Sequence, residues 1–215
     1  MSGGEVPVGR FEAQGRLSLW VLVGLFVVAF AFRAGVGGWR LGRGDNPEVL
    51  TFPDEVQYWS MSRDLRAGRT LTDELGFHAT RMPAYPAFLA IFPDSRGGVL
   101  GAIVCQWIIG ALAAPLTALL AVRIGGVVAG VAAGLVVAAD PGLVGLSSLL
   151  LTETPFVTGV AALWLVGWPI AAECRGVSAG RWLGLGVTAA LCVYVRPSTV
   201  GLVGLWVVFL LARQR

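Results

Sequence analysis

The sequence predicts an all-α, polytopic membrane protein with about six transmembrane helices and a large external first loop that carries interfacial helices. Two observations predict this class. Of the 215 residues, 56% are hydrophobic and only 13% are charged, whereas about a quarter of the residues in soluble domains are charged. Several apolar runs also approach or reach roughly 17–25 residues, the length that crosses a bilayer as a helix.

The chain is predicted to form a single membrane domain over residues 1–215, with a short polar tail before the first span. The predicted segments are span 1 at 17–32, the external loop at 33–97, span 2 at 98–122, span 3 at 124–139, span 4 at 155–172, span 5 at 182–195 and span 6 at 198–212. Span 1 is long for the core of a signal peptide and lacks a small-x-small cleavage site. We therefore expect it to act as a signal anchor.

The distribution of arginine predicts the orientation of the chain. All sixteen basic residues are arginine, and the net charge of +3 is modest and spread out, which argues against nucleic-acid binding. The arginines in the short segments assigned to the cytoplasm are Arg10, Arg16, Arg123, Arg175, Arg181, Arg213 and Arg215, against Arg196 alone on the opposite side. The positive-inside rule therefore predicts a multi-pass membrane protein with a cytoplasmic N-terminus and with the large loop on the external face. We expect it in the inner membrane of the cell, with its candidate site on that external, periplasmic face.

The polar loop between spans 1 and 2 holds the first candidate site. Pro53-Asp54-Glu55 is followed by Tyr58, and two compatible interpretations of Asp54 follow. As a helix N-cap, Asp54 forms a capping box with Gln57 three residues later. As a general base, its carboxylate removes a proton from a hydroxyl or an amine.

The run Arg81-Met-Pro-Ala-Tyr-Pro ends the polar part of the loop. Its prolines make a rigid entry to an interfacial helix predicted over residues 84–92. The planar guanidinium of Arg81 also suits bidentate binding of a phosphate, and its position at the start of an apolar helix fits a lipid phosphate. The structural and the phosphate-binding interpretations both stay open from the sequence.

Three further charged positions are predicted near the ends of spans on the same external face. Asp140-Pro141 follows span 3, Glu153 precedes span 4, and Arg196-Pro197 follows span 5. Taken singly, each is explained as a helix cap or terminator. A charge at the membrane centre costs roughly 2.5–3.5 kcal/mol, so such groups collect at rims or in wet cavities. Their convergence predicts a polar site beneath the loop.

The sequence predicts no metal site and no cofactor. His78 is the single histidine, and Cys105, Cys174 and Cys192 have no metal-site spacing. The centres of the predicted spans carry no ionisable residue, which disfavours a transporter or a flippase.

Together these motifs resemble the multi-spanning glycosyltransferases of the GT-C type, which use polyprenyl-phosphate sugars. The similarity is to the branch with the protein O-mannosyltransferases and the lipid A aminoarabinose transferases. Those enzymes have an acidic residue early in the first external loop, here within Pro53 to Tyr58, and then a basic residue with Pro-x-Tyr-Pro, here Arg81 to Pro86. They also carry a Pro, an apolar stretch and a Glu before a span, here Pro141 to Glu153, and an Arg-Pro pair, here Arg196-Pro197.

The resemblance implies a membrane glycosyltransferase of the cell envelope. In it Asp54 is the catalytic base, Glu55 is the second candidate for that role, and Arg81 binds the lipid-linked phosphate. The residues implied in substrate binding are Tyr58, Arg81, Tyr85, Glu153 and Arg196. The implied donor is a polyprenyl-phosphate sugar, and the implied reaction is a single displacement with inversion that needs no metal. The implied partners are a membrane lipid and an acceptor that the sequence does not name.

The resemblance covers about residues 17–212 of this chain, and these residues match only part of the family pattern. Family members have more spans and often a C-terminal external domain. This chain therefore corresponds to their N-terminal module, either as a truncated gene product or as a module that needs a partner chain to supply the missing helices. The alternative interpretation is a non-catalytic, truncated membrane subunit of the same fold that binds a lipid-linked sugar.

Overall fold

The chain is all-helical in the part that the structure describes. A computed structural model describes residues 16–42, 50, 52–71, 81–173 and 177–213. Its helices in chain order are α1 (Leu19–Gly42), α2 (Pro53–Arg66), α3 (Ala84–Leu89), α4 (Arg96–Ala139), α5 (Pro141–Leu146), α6 (Glu153–Glu173), α7 (Ala179–Val195) and α8 (Thr199–Arg213). No strand occurs within these ranges, which confirms the predicted all-α class.

Three helices are long and apolar enough to cross a membrane, which is compatible with the predicted membrane protein. They are α1, α4 and the Glu153–Ala172 part of α6. Helices α7 and α8 are also apolar but have 17 and 15 residues, fewer than the roughly 20 that a hydrocarbon core requires. The described helices thus include fewer full-length spans than the six predicted.

A turn at Gly126 divides α4 into two arms, which correspond to the separately predicted spans 2 and 3. Gly126 has φ 76° and ψ −173°, a backbone conformation that glycine adopts far more readily than other residues. Beyond this turn the chain folds back on the first arm. A close approach shows this: a Cβ atom on Gly130 would lie 3.0 Å from the carbonyl oxygen of Ala118, which comes twelve residues earlier. The second arm, residues 127–139, is about 20 Å long at 1.5 Å per residue.

Helix α1 continues past Phe32, the predicted end of span 1, and ends at Gly42. Arg33, predicted to open the polar loop, therefore lies inside an apolar helix and is only 1% exposed. Its Nη1 donates to the carbonyl oxygen of Ala29 (2.9 Å), and Gly110 of α4 leaves room for its Nε. The predicted end of span 1 is therefore wrong, because α1 extends ten residues past it and includes this arginine.

Helix α4 is central to the packing. Helices α1 and α6 both pack along it, α7 packs on α6, and α8 packs on α7. One core cluster joins α2 and α3 to the N-terminal end of α4, and its buried members are Tyr58, Trp59, Tyr85, Leu89, Val99, Ala102, Ile103, Trp107 and Leu150. Full burial of a large apolar side chain contributes roughly 1.5–3 kcal/mol. This cluster therefore fixes α2, with its charged residues, at one end of the bundle.

Candidate functional site

The start of α2 presents two adjacent carboxylates in different environments. Glu55 is 2% exposed, and its Oε2 accepts a hydrogen bond from the backbone N–H of Phe52 (3.0 Å). Pro53 is the first residue of the helix, so Asp54 lies within the first turn and is not the N-cap. The predicted Asp54–Gln57 capping box is thus replaced by a cap from Glu55, because Glu55 is the carboxylate three residues after Phe52. The side chain of Asp54 remains half exposed.

The segment 147–152, which leads into α6, is held by side chains from three helices. The bonded pairs are Arg40 with the Ser148 carbonyl, Gln106 with the Leu149 carbonyl and Glu55 Oε1 with the Leu150 N–H, at 2.7–2.8 Å. Backbone groups at a buried turn need such partners, since an unmade hydrogen bond there is costly. These bonds fix the position of Glu153, the first residue of α6.

Five of the seven predicted site residues line one cavity of about 300 Å³, which we call the charged cavity. They are Asp54, Tyr58, Arg81, Glu153 and Arg196. They come from α2, from the segment before α3, from the start of α6 and from the residue that follows α7. The structure therefore brings together side chains that are up to 142 positions apart in the sequence (196 − 54).

Each arginine of the charged cavity is paired with a carboxylate of the same cavity. Arg81 Nη2 donates to Asp54 Oδ1, and its Nε donates to Gln57 Oε1 (2.8 Å). Arg196 Nη1 donates to Glu153 Oε1 (3.0 Å). The two cations and the two anions cancel, so the resting cavity carries no net charge from these four residues.

Aromatic rings support both guanidinium groups. The Arg81 guanidinium carbon lies 5.3 Å from the ring centre of Tyr58, and that of Arg196 lies 5.4 Å from the ring centre of Phe156. Cation–π contacts of this kind contribute about 0.5–1 kcal/mol at exposed sites and more in dry ones. The rings therefore add to the ion pairs in positioning the two arginines.

The two remaining predicted site residues, Glu55 and Tyr85, do not line the charged cavity. Tyr85 is 1% exposed, and its hydroxyl donates to Gln106 Oε1 (2.6 Å). Its ring meets that of Tyr58 edge-on, with 4.9 Å between ring centres. Burial raises the pKa of the Tyr85 phenol well above its ordinary value, and the nearby Glu55 carboxylate raises this pKa further. Tyr85 is thus a neutral hydrogen-bond donor that supports Tyr58.

A second, much smaller cavity lies beside the charged cavity, and we call it the Arg33 cavity. It has a volume of about 10 Å³ and is lined by Arg33, Glu153, Thr154 and Thr158, among others. Sequence reasoning missed Arg33. The signal for it was the four-residue spacing of Leu25, Ala29, Arg33 and Gly37, which all lie on the buried face of α1.

The described residues contain no group of three or more His, Cys, Asp or Glu side chains that could hold a metal ion. The predictions made for His78 and Cys174 lie outside the described residues. The charged cavity contains the Asp54 carboxylate, which is a candidate acid–base group, and two arginines that can bind anions. A guanidinium has five N–H donors, so Arg81 and Arg196 can each bind an oxyanion through several hydrogen bonds.

No protein family, curated protein or solved structure matches this chain.

Proposed function

We propose that this chain is a membrane glycosyltransferase module of the GT-C type. It transfers a sugar from a polyprenyl-phosphate donor to an acceptor on the external face, with Asp54 as the general base. The observation that supports this proposal best is the charged cavity, which is lined by two arginines and two carboxylates, one of them the half-exposed Asp54. Phosphate is a ligand that arginine binds well, because the planar guanidinium matches its oxygens.

In the proposed reaction the donor phosphate binds Arg81 and Arg196 and displaces the two carboxylates from them. Asp54 is then free to accept the proton of the acceptor hydroxyl. The acceptor oxygen forms a bond to the anomeric carbon while the bond from that carbon to the phosphate oxygen breaks. The polyprenyl phosphate leaves with the bonding electron pair, and the configuration of the sugar inverts. The released phosphate carries negative charge that the two arginines stabilise.

The proposed topology has six spans in the inner membrane, a cytoplasmic N-terminus and the charged cavity on the external face. The arginine distribution supports this orientation. The turn at Gly126 supports counting the two arms of α4 as separate spans. The shortness of the second arm, α7 and α8 is a reason to expect that a partner chain or further helices complete the membrane domain.

The test of the catalytic proposal is the substitution Asp54→Asn, which removes the base and keeps the shape of the side chain. The protein is placed in lipid nanodiscs with a polyprenyl-phosphate sugar, and sugar transfer to a membrane extract is followed. We expect a loss of about 10²–10⁴-fold, the usual contribution of a general base. The matched control is Asp64→Asn, on the same helix, where the carboxylate pairs with Arg69 away from the cavity. Equal activity of the Asp54 variant and the wild type would refute the catalytic role.

One observation favours a second candidate, a non-catalytic module that binds a lipid-linked sugar. In the resting site the Asp54 carboxylate accepts a hydrogen bond from Arg81, so it is not free to take the proton of an acceptor until that pair opens. Tight donor binding by the wild type without any sugar transfer would favour this candidate. Sugar transfer that depends on Asp54 would exclude it.

A further inference from the structure

The Arg33 cavity contains two buried polar atoms that have no hydrogen-bond partner among the described residues. They are Nε of Arg33 and Oγ1 of Thr154. A Cβ atom placed on Gly110 would lie 2.8 Å from Arg33 Nε and 2.8 Å from Thr154 Cγ2, so the two side chains meet at this glycine. A buried N–H without a partner is rare in proteins and destabilises the fold. An ionisable residue inside an apolar helix is moreover a candidate for a functional role.

The volume of the Arg33 cavity limits what can fill it. About 10 Å³ is close to the 10–15 Å³ that one water molecule occupies on this measure. A phosphate or a sugar is therefore too large. A single oxygen atom fits, either of a water molecule or of a carboxylate that turns into the space.

Glu153 is the residue that lines both cavities. Its carboxylate bonds Arg196 at the charged cavity, and its side chain is about one-third exposed. When an anion occupies Arg196, Glu153 loses its partner in a partly buried place and faces the like charge of that anion. The cation that lines the smaller cavity together with Glu153 is Arg33, whose Nε has no partner among the described residues.

We propose that Arg33 is a positioning residue that receives the Glu153 carboxylate when the phosphate of a polyprenyl-linked ligand takes over Arg196. This inference rests on the proposed function, since it takes a phosphate at the charged cavity as its starting point. In the exchange one Glu153 oxygen enters the Arg33 cavity and accepts from Arg33 Nε. The Asp140 carboxylate, which also acts on Arg33 electrostatically, stays bound to the Leu143 N–H at the start of α5.

The experiment is a double-mutant cycle on ligand binding. Wild type, Arg33→Gln, Glu153→Gln and the double variant are placed in nanodiscs, and the Kd of farnesyl phosphate is measured, with farnesol as the uncharged control. We expect Arg33→Gln to weaken binding of farnesyl phosphate about tenfold when Glu153 is present. In the Glu153→Gln background we expect less than about a twofold effect, because no carboxylate then needs a new partner. Arg33→Lys keeps the charge and is expected to retain most of the affinity.

A purely structural role for Arg33 predicts a different result. It would weaken binding by the same factor in both backgrounds, and that outcome overturns the inference. If Arg33→Gln does not fold, Gly110→Ala replaces it, because the added methyl group would lie 2.8 Å from Arg33 Nε and displace this side chain from the Arg33 cavity without removing either charge. A wild type that binds farnesyl phosphate no better than farnesol would also overturn the inference.

The outcomes separate this inference from the proposed function. If the effects of the Arg33 and Glu153 substitutions on farnesyl phosphate binding are coupled but no sugar is transferred, only the catalytic proposal is refuted. Sugar transfer that depends on Asp54, together with independent effects of the two substitutions, would refute only the partner exchange.

Discussion

Glu55→Gln tests the distinction between the two adjacent carboxylates of α2. The Glu55 carboxylate accepts from two backbone N–H groups, those of Phe52 (3.0 Å) and Leu150 (2.8 Å), and it is 2% exposed. A glutamine has one carbonyl oxygen in place of two carboxylate oxygens, and its NH₂ group would face one of these N–H donors. A hydrogen bond to a charged group contributes about 1.5–3 kcal/mol. We therefore expect the free energy of unfolding to fall by about 2–3 kcal/mol.

The assay is thermal unfolding in detergent micelles, followed by tryptophan fluorescence. At about 2–4 °C per kcal/mol for a chain of this size, the expected fall in Tm is about 5–10 °C. The control is Asp54→Asn, whose carboxylate is half exposed and whose ion pair contributes at most about 1 kcal/mol. An unchanged Tm in the Glu55 variant, or an equal fall in both variants, would show that Glu55 does not hold this end of the fold together.

Two further predictions concern the same end of the bundle. Gly37→Ala should lower the free energy of unfolding by about 1–3 kcal/mol, because the added Cβ would collide with the ring of Trp107. Gly38→Ala is the control and should not lower it, because the space around Gly38 is open. Chemical denaturation of both variants measures the difference. In an alkaline titration of phenol absorbance, Tyr85 should ionise at a higher pH than an ordinary phenol, and Tyr85→Phe should remove that late phase. Since folding raises the pKa of Tyr85 above 10.0, its contribution to stability is complete below about pH 10 and is lost as the pH rises toward the folded-state pKa.

The grouping of charges could be predicted from the sequence because charged residues in an apolar chain collect at helix ends. Asp54, Glu153 and Arg196 each lie at or near a helix terminus, and the structure brings them to one cavity. Helices that cross a membrane in alternating directions bring every second helix end to the same face, which is enough to predict that these charges lie near one another. This prediction does not require knowledge of any side-chain contact.

The separate roles of Asp54 and Glu55 could not be predicted, because the two residues differ by one position along the chain. A shift of one residue turns a helical side chain by about 100°. Only the packing of α2 on the segment 147–152 decides which of them faces the core. The position of Arg33 could not be predicted from hydropathy for a related reason. Its burial depends on close contact with Gly110 of another helix, and hydropathy averages do not record such contacts.

The hydrogen bonds to the segment 147–152 also bear on the order in which the protein folds. They join residues that are 108, 95 and 43 positions apart in the sequence. Contacts over such separations form slowly, because a long loop must close before they contribute any stabilisation. Helices that insert into a bilayer can form independently before they associate. We therefore expect the helices to form first, and the segment that positions Glu153 to acquire its structure last, after α2 has docked on α4.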